Sequence, residues 1–167
     1  HVSLSDNEFD TGFMDHMLFE EADRGRGERH LPELLKAIRE HAVIGVTYSF
    51  FSDEKSNKQY ALEPLLLKQH RLRWYLIARD QAAGRVKTFG LDRLQEVDLT
   101  EGHFLAPDFD PQGYFRHTYG ISHLDDKPAL VRLKVDRPQS QYFSSMPMHP
   151  SLKVVNQEES YEELEME

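Results

Sequence analysis

Arg71, Arg73 and Arg79 lie within the stretch HRLRWYLIARD, residues 70–80, beside Tyr75 and the single tryptophan, Trp74. Arginines two apart beside a tyrosine can grip phosphate oxygens through their planar guanidinium forks, while the ring offers a stacking surface for a base. On a strand, alternate residues face opposite sides. The odd positions from Arg71 to Arg79 then make a basic face that includes Tyr75 and Ile77, and Leu72, Trp74, Leu76 and Ala78 make an apolar one. Trp74 is expected in a sheet core. The basic face is either an anion surface or a solvated strand face whose long charges discourage edge pairing.

This basic strand belongs to an acidic chain. The formal net charge is -9 over 167 residues, yet Tyr48 to Glu96 hold nine Lys and Arg against six Asp and Glu, a local balance of +3 that leaves -12 elsewhere. Such acidity argues against a chain whose main work is gripping duplex DNA, since that affinity comes largely from neutralising phosphates. It leaves room for a local anion site, or for a solvated sheet face lined by Lys and Arg. There is no cysteine, which excludes disulfides, thiolate zinc sites and cysteine nucleophiles. No window approaches the roughly 18 consecutive apolar residues of a membrane helix, and the start lacks the order of a signal peptide. A cytoplasmic protein without membrane contact is expected. The first residue is His1 rather than methionine, which is the pattern of a processed chain, a tag remnant or a fragment.

The elements that must position these residues follow from periodicity. Residues 1–30 are acidic, without clear period, and read as an arm or linker ending in RGRGER. Gly25 and Gly27 are too few for a phosphate loop. Pro32 opens a helix with Leu34, Leu35, Ile38 and Ala42 at helical spacing, ending near Ala42 or Val43. The period then changes to two: VIGVTYSFF, a polar turn SDEKSNK, YALEPLLLK, RLRWYLIAR, a loop DQAAG and RVKTFGL form four short strands of an antiparallel sheet or barrel. Pro64 belongs at an edge or bulge. LDRLQEVDLTE continues as a turn or short strand, and residues 106–128 are a linker with a short helix around Pro111 to Phe115. From Ala129 to 167, strands ALVRLKVD, SLKVVNQ and EELEME flank a short helix RPQSQYFSSMP.

Catalytic constellations are absent from the spacing. There is no HExxH and no GxSxG. His117 and His123 lie six apart across a Tyr-Gly turn, and Asp108 and Asp110 sit in a Pro-flanked turn that explains them without a cation. No enzyme activity, metal or cofactor is expected.

RWYLIAR followed by KTFGLDRL resembles the WYL domain, named for its Trp, Tyr and Leu, here Trp74, Tyr75 and Leu76. Members typically show a tyrosine ending an early strand, a proline opening the next stretch, the RWYL strand and an R-x-F-R-L-D-R-I segment. Tyr48, Pro64, Arg73 to Leu76 and Lys87 to Leu94 correspond to these, and the helix in GERHLPELLKAI is like the one before the family's barrel. Lys87 and Gly90 stand where the family usually has arginines.

The resemblance implies an α+β, mainly β fold: an Sm-like small antiparallel β-barrel over 31–105, preceded by a helix, with a partial ferredoxin-like extension over 129–167. It also implies an effector-sensing domain of a bacterial transcriptional regulator, with a nucleotide or single-stranded nucleic acid as effector. DNA would be reached through a helix-turn-helix domain not present in this chain, and a homodimer is expected. Carried over residue by residue, the ligand face comprises Tyr48, Arg73, Tyr75, Lys87 and Arg93, with Lys68 and His70 as additions. Tyr48 shares a face with Ile44 and Val46 and is equally a core tyrosine by pattern; Arg93, beside Asp92, is equally a structural arginine. A stand-alone single-stranded nucleic-acid module and an oligomerisation module are the alternatives.

Overall fold

The computed structural model describes residues 27–167 apart from 51–52, 106–107 and 124–126. The arm expected over 1–30 therefore lies outside the described residues except at its end. There Gly27 (φ 91°) and a short 3-10 turn, Glu28–His30, lead into helix α1, Leu31–Glu40. Pro32 is in the first turn, and Leu34 and Ala37 are fully buried. The helix ends before the predicted Ala42. His41 turns left-handed (φ 52°), its amide closes onto Ala37 and Ile38, and Ala42 already pairs with His103 in a sheet.

Five strands follow: β1 Ala42–Phe50, β2 Asp53–His70, β3 Arg73–Asp80, β4 Arg85–Gly90 and β5 Leu94–His103. They form one antiparallel sheet in the order β4-β3-β2-β1-β5. The polar run read as a turn from residue 52 to 58 is instead strand from Asp53 onward, so β2 is 18 residues long. Its first half pairs with β1 up to Leu62 and its second half with β3 from Leu62 to His70. LDRL divides into a 3-10 turn, Leu91–Arg93, and the start of β5, a ten-residue strand rather than a short one.

The predicted barrel is not closed by a ladder. Among the described residues β4 and β5 are edge strands. The Gly90 amide donates to the Tyr48 hydroxyl at 3.2 Å, and Tyr48, Phe89, Leu91 and Leu94 join Leu34, Ile44, Leu62 and Leu76 in one core. Burying these apolar side chains is what holds α1 against the sheet.

Pro64 lies where the register slips between Pro64 and Leu66, as expected of a residue that cannot donate to a ladder. The strand RLRWYLIAR starts later than its alternation suggests. Arg71 (φ 47°) and Leu72 (φ 62°) form the two-residue hairpin loop, so Leu72 is exposed and not on the apolar face. Trp74 packs half-buried against the core, and Leu76 and Ala78 are fully buried. Ile77, assigned to the basic face, is fully buried too.

The linker reaches this face of the sheet. It holds helix α2, Pro111–Phe115, capped by the Asp110 carboxylate accepting from the Gln112 and Gly113 amides. The Thr88 hydroxyl, on the residue paired with Ile77, donates to the Ile121 carbonyl at 3.3 Å. The C-terminal unit is β6 Val131–Asp136, helix α3 Arg137–Ser145, β7 Lys153–Gln157 and β8 Tyr161–Met166, with sheet order β6-β8-β7. Leu164 is its buried centre. The chain is thus mainly β with helices, in two antiparallel sheets. Among the described residues no helix is long and apolar enough to cross a membrane.

Positive φ at two consecutive non-glycine residues is costly, about 1–2 kcal/mol each, and two-residue hairpin loops of this hand favour Asn-Gly. Replacing Arg71 and Leu72 by Asn and Gly is therefore expected to raise the unfolding free energy by about 1–2 kcal/mol, measured by urea denaturation. A lower stability would contradict the assigned loop.

Candidate functional site

Residues directly opposite each other in a ladder share a face. Val46 and Tyr60 are opposite, as are Ile44 and Leu62, so Tyr48, Tyr60 and the core residues lie on one side, here the inner face. Leu76 pairs with Phe89, Ala78 with Lys87 and Asp80 with Arg85, which puts Lys87, Phe89 and Arg85 on that same face. Beyond the slip at Pro64 the parity of β2 changes. Lys68 pairs with Tyr75 and His70 with Arg73, all on the outer face. The seven residues expected in one ligand face are thereby divided. Tyr48 and Lys87 are inside with Arg93 at their edge, while Lys68, His70, Arg73 and Tyr75 are on the other side of the sheet.

The outer group is engaged by the linker. Lys68 Nζ lies 3.9 Å from the centre of the Phe115 ring, and the Arg71 guanidinium donates to the Tyr119 hydroxyl at 3.3 Å. A side chain at Gly120 would come within 3.5 Å of the His70 ring. Arg73 stays largely exposed, with Asp92 at 4.0 Å, and Arg79 is paired with Glu63 at 3.3 Å.

The inner group lines a cleft of about 510 Å³ at the β4 edge, walled by Tyr48, Phe50, Tyr60 and Phe89. Arg85, Lys87 and Arg93 supply positive charge, and Thr88, Ser122 and His123 close the far side. The rings meet edge to face, Tyr48 to Phe89 at 5.3 Å and Tyr60 to Phe89 at 5.2 Å, an arrangement that suits aromatic quadrupoles. The Arg93 guanidinium sits 4.9 Å from the Tyr48 ring centre, within cation–π range.

Gly90 makes room for this. A β-carbon there would lie 2.6 Å from an Asp92 carboxylate oxygen and 3.1–3.2 Å from the Arg93 guanidinium nitrogens. The glycine standing where the family usually has arginine thus seats Arg93 over Tyr48. Burial pushes the Tyr48 hydroxyl above the usual phenol range, opposed by the Arg93 charge and the Gly90 amide.

Lys87 is committed elsewhere on the same face. Its Nζ lies 2.6 Å from the buried Asp80 carboxylate, which also accepts from the Ala82 and Ala83 amides at 3.0 and 3.2 Å. The hydrogen bond from Lys87 is the largest influence and holds Asp80 below the usual carboxylate range, outweighing the opposing effect of burial. One carboxylate therefore fixes both the β3–β4 turn and the lysine.

Phe50, Tyr60, Arg85, Ser122 and His123 were not among the expected site residues. Alternation places Tyr60 on a face, but only the pairing of Val46 with Tyr60 shows that it is the face of Tyr48. Ser122 and His123 arrive from the linker. His123 is held by stacking on Tyr114, ring centres 4.1 Å apart. Among the described residues no three His, Asp or Glu converge on a metal site.

A helix leads into an antiparallel sheet that carries RWYL on β3 and a charged aromatic cleft beside β4. Residues 29–99 match the family model described as the WYL domain. Among solved structures, proteasome accessory factor B/C (PafBC) of Arthrobacter aurescens is similar at a TM-score of 0.46 and 14% identity, over 92% of this chain and 23% of that one. The chain thus spans about a quarter of that protein's length. No curated protein matches.

Asp80 is a carboxylate whose folded pKa is depressed, so its stabilisation is present above the unfolded value of about 3.9 and is lost as pH falls through the lower folded value. The stability difference between the parent chain and Asp80→Asn is expected to be full near pH 7 and to shrink from about pH 4 downward. Urea denaturation across that range checks it; a constant difference would show that the charge on Asp80 contributes nothing.

Proposed function

We propose that this chain holds the effector-sensing domain of a bacterial transcriptional regulator, and that a nucleotide or other anionic ligand binds in the inner cleft. The observation that carries this reading is the Arg93 guanidinium over Tyr48 at the rim of a cleft of about 510 Å³ that also holds Arg85 and Lys87, in a chain of net charge -9. Cations gathered against aromatic walls, on a background that repels anions, raise the local concentration of a negatively charged ligand. The volume lies in the range of about 300–1,000 Å³ usual for small-molecule sites. The WYL match is to a family that the sequence resemblance associates with regulation rather than catalysis.

Of the seven residues expected at the site, Tyr48, Lys87 and Arg93 form this proposal, with Arg85 and Tyr60 added. Lys68, His70, Arg73 and Tyr75 belong to a second, outer surface. The helix and the bent sheet, handed from β1 to β3 by one long strand, support the finer reading of an Sm-like barrel over 31–105. The β-α-β-β order of the last 39 residues, 129–167, supports a partial ferredoxin-like unit joined by the linker 106–128. In this reading the protein is cytoplasmic and dimeric, and DNA contact comes from a helix-turn-helix outside this chain.

Titration with a nucleotide panel and single-stranded oligonucleotides in low salt, followed by calorimetry, tests the proposal. Arg93→Gln is expected to weaken binding about tenfold or more, the loss of one charge-assisted contact. Gly90→Ala, whose β-carbon would crowd the Asp92 carboxylate and press on the Arg93 guanidinium, should weaken it in the same direction. Arg73→Gln should change it less than about twofold. Binding lost through Arg73 and indifferent to Arg93 would move the site to the outer face, and no binding of any member would overturn the proposal.

A further inference from the structure

We infer that the linker is the output of the cleft: residues 114–123 dock on the sheet as one piece, and a ligand in the cleft holds them there. This rests on the anion-sensing reading above and adds its regulation.

The linker is tied to the sheet on both sides of an edge. On the outer face the Phe115 ring lies under Lys68 at 3.9 Å, and the Tyr119 hydroxyl accepts from Arg71 at 3.3 Å. Gly120 follows at φ 90°, a conformation that suits glycine. The Ile121 carbonyl then accepts from Thr88 on the edge strand β4. The next two residues, Ser122 and His123, are walls of the cleft. Consecutive residues thus pass from the outer face, by the edge of β4, to the ligand side.

The segment is also tied to itself. His123 stacks on Tyr114 at 4.1 Å, its Nδ1 lies 3.4 Å from the Thr118 hydroxyl, and Tyr114 meets Phe115 edge to face at 4.9 Å. A displacement of His123 is therefore passed through Tyr114 to Phe115, and the reverse. Each tie to the sheet is a single cation–π contact or hydrogen bond, weak by itself. Undocking is then a local opening that leaves the sheet folded. A ligand that meets Ser122 and His123 binds the docked form better than the open one and shifts the balance toward docking. Undocking takes the ring from Lys68 and the hydroxyl from Arg71, beside the exposed Arg73. Occupancy of the cleft thereby controls charged groups that the ligand does not touch.

The experiment first titrates the four ribonucleoside monophosphates by calorimetry. The tightest binder, at ten times its Kd, is then present during limited trypsin digestion read by mass spectrometry. The bond after Arg116 reports undocking, because Arg116 is exposed but sits between Phe115 and Tyr119 in turns closed by the Arg116 amide on Gly113 and the Thr118 amide on Phe115. Cleavage there follows the open population. Bound nucleotide is expected to slow it about fivefold or more, the limit being about elevenfold for a ligand with no affinity for the open form. Cleavage after Lys153, in the C-terminal unit, should change less than about twofold. Without nucleotide, Phe115→Ala and Tyr119→Phe should each speed cleavage after Arg116 about threefold or more.

A bound nucleotide that leaves cleavage after Arg116 unchanged, or slows cleavage after Lys153 equally, would overturn the inference while leaving anion sensing intact. Unchanged cleavage in both variants would overturn it as well, since the outer contacts would then not hold the linker. Binding of none of the four nucleotides would instead remove the anion-sensing reading, and the inference with it.

Discussion

Proline has no amide hydrogen to give to a ladder, and Pro64 is fully buried in a strand with neighbours on both sides. The sheet accommodates it at the point where β2 leaves β1 and takes up β3, with a slip of one residue between Pro64 and Leu66. Because side chains alternate with period two, one extra residue turns the rest of the strand over. Tyr60 and Leu62 face inward before the slip, and Lys68 and His70 face outward after it. This one irregularity sends Lys68 and His70 to the face of Arg73 and Tyr75 and away from Tyr48 and Lys87.

Electrostatics then decides which sorted charges remain available. Three acids of the basic island are set against particular cations: Asp80 against Lys87, Glu63 against Arg79 and Asp92 near Arg73. Exposed pairs of this kind contribute little to stability. The Asp80 pair differs because its carboxylate is buried and also holds a turn, which makes it part of the fold. Gly90 acts in the opposite sense, since the missing side chain lets Arg93 lie over Tyr48 instead of being displaced from it. The linker adds further contacts on the outer face, with Phe115 under Lys68, Tyr119 accepting from Arg71 and the Ile121 carbonyl accepting from Thr88.

Much of this was legible in the sequence, and the parts that were not have identifiable causes. Pro32 and the spacing of Leu34 and Ile38 gave α1, the alternation of β1 and β4 gave their strands, and Pro64 marked its own bulge. Helix α1 ran shorter than its apolar spacing because His41 adopts a left-handed cap, which periodicity does not register. The run from Asp53 to Lys58 looked like a turn because its composition is polar, and it is strand because β1 supplies a partner for it. Arg71 and Leu72 kept the alternation of β3 and concealed a hairpin loop. For the site, the residue types were visible but their faces were not. A bulge shows in a sequence as a proline, whereas the reversal of parity beyond it exists only in the register. Tyr60, Arg85 and His123 come together across strands and from a linker distant in the chain, a relation that local spacing does not encode.

The proposed ligand site lies on the inner face with Tyr48 and Arg93, away from the arginine of RWYL and from Lys68 and His70, which the slip at Pro64 turns outward. Amide chemical-shift mapping during titration with adenosine monophosphate tests it most directly. The account expects the largest changes at Tyr60, Lys87, Phe89, Gly90 and Arg93, with His70, Arg73 and Tyr75 nearly unmoved. Changes confined to His70, Arg73 and Tyr75 would contradict it.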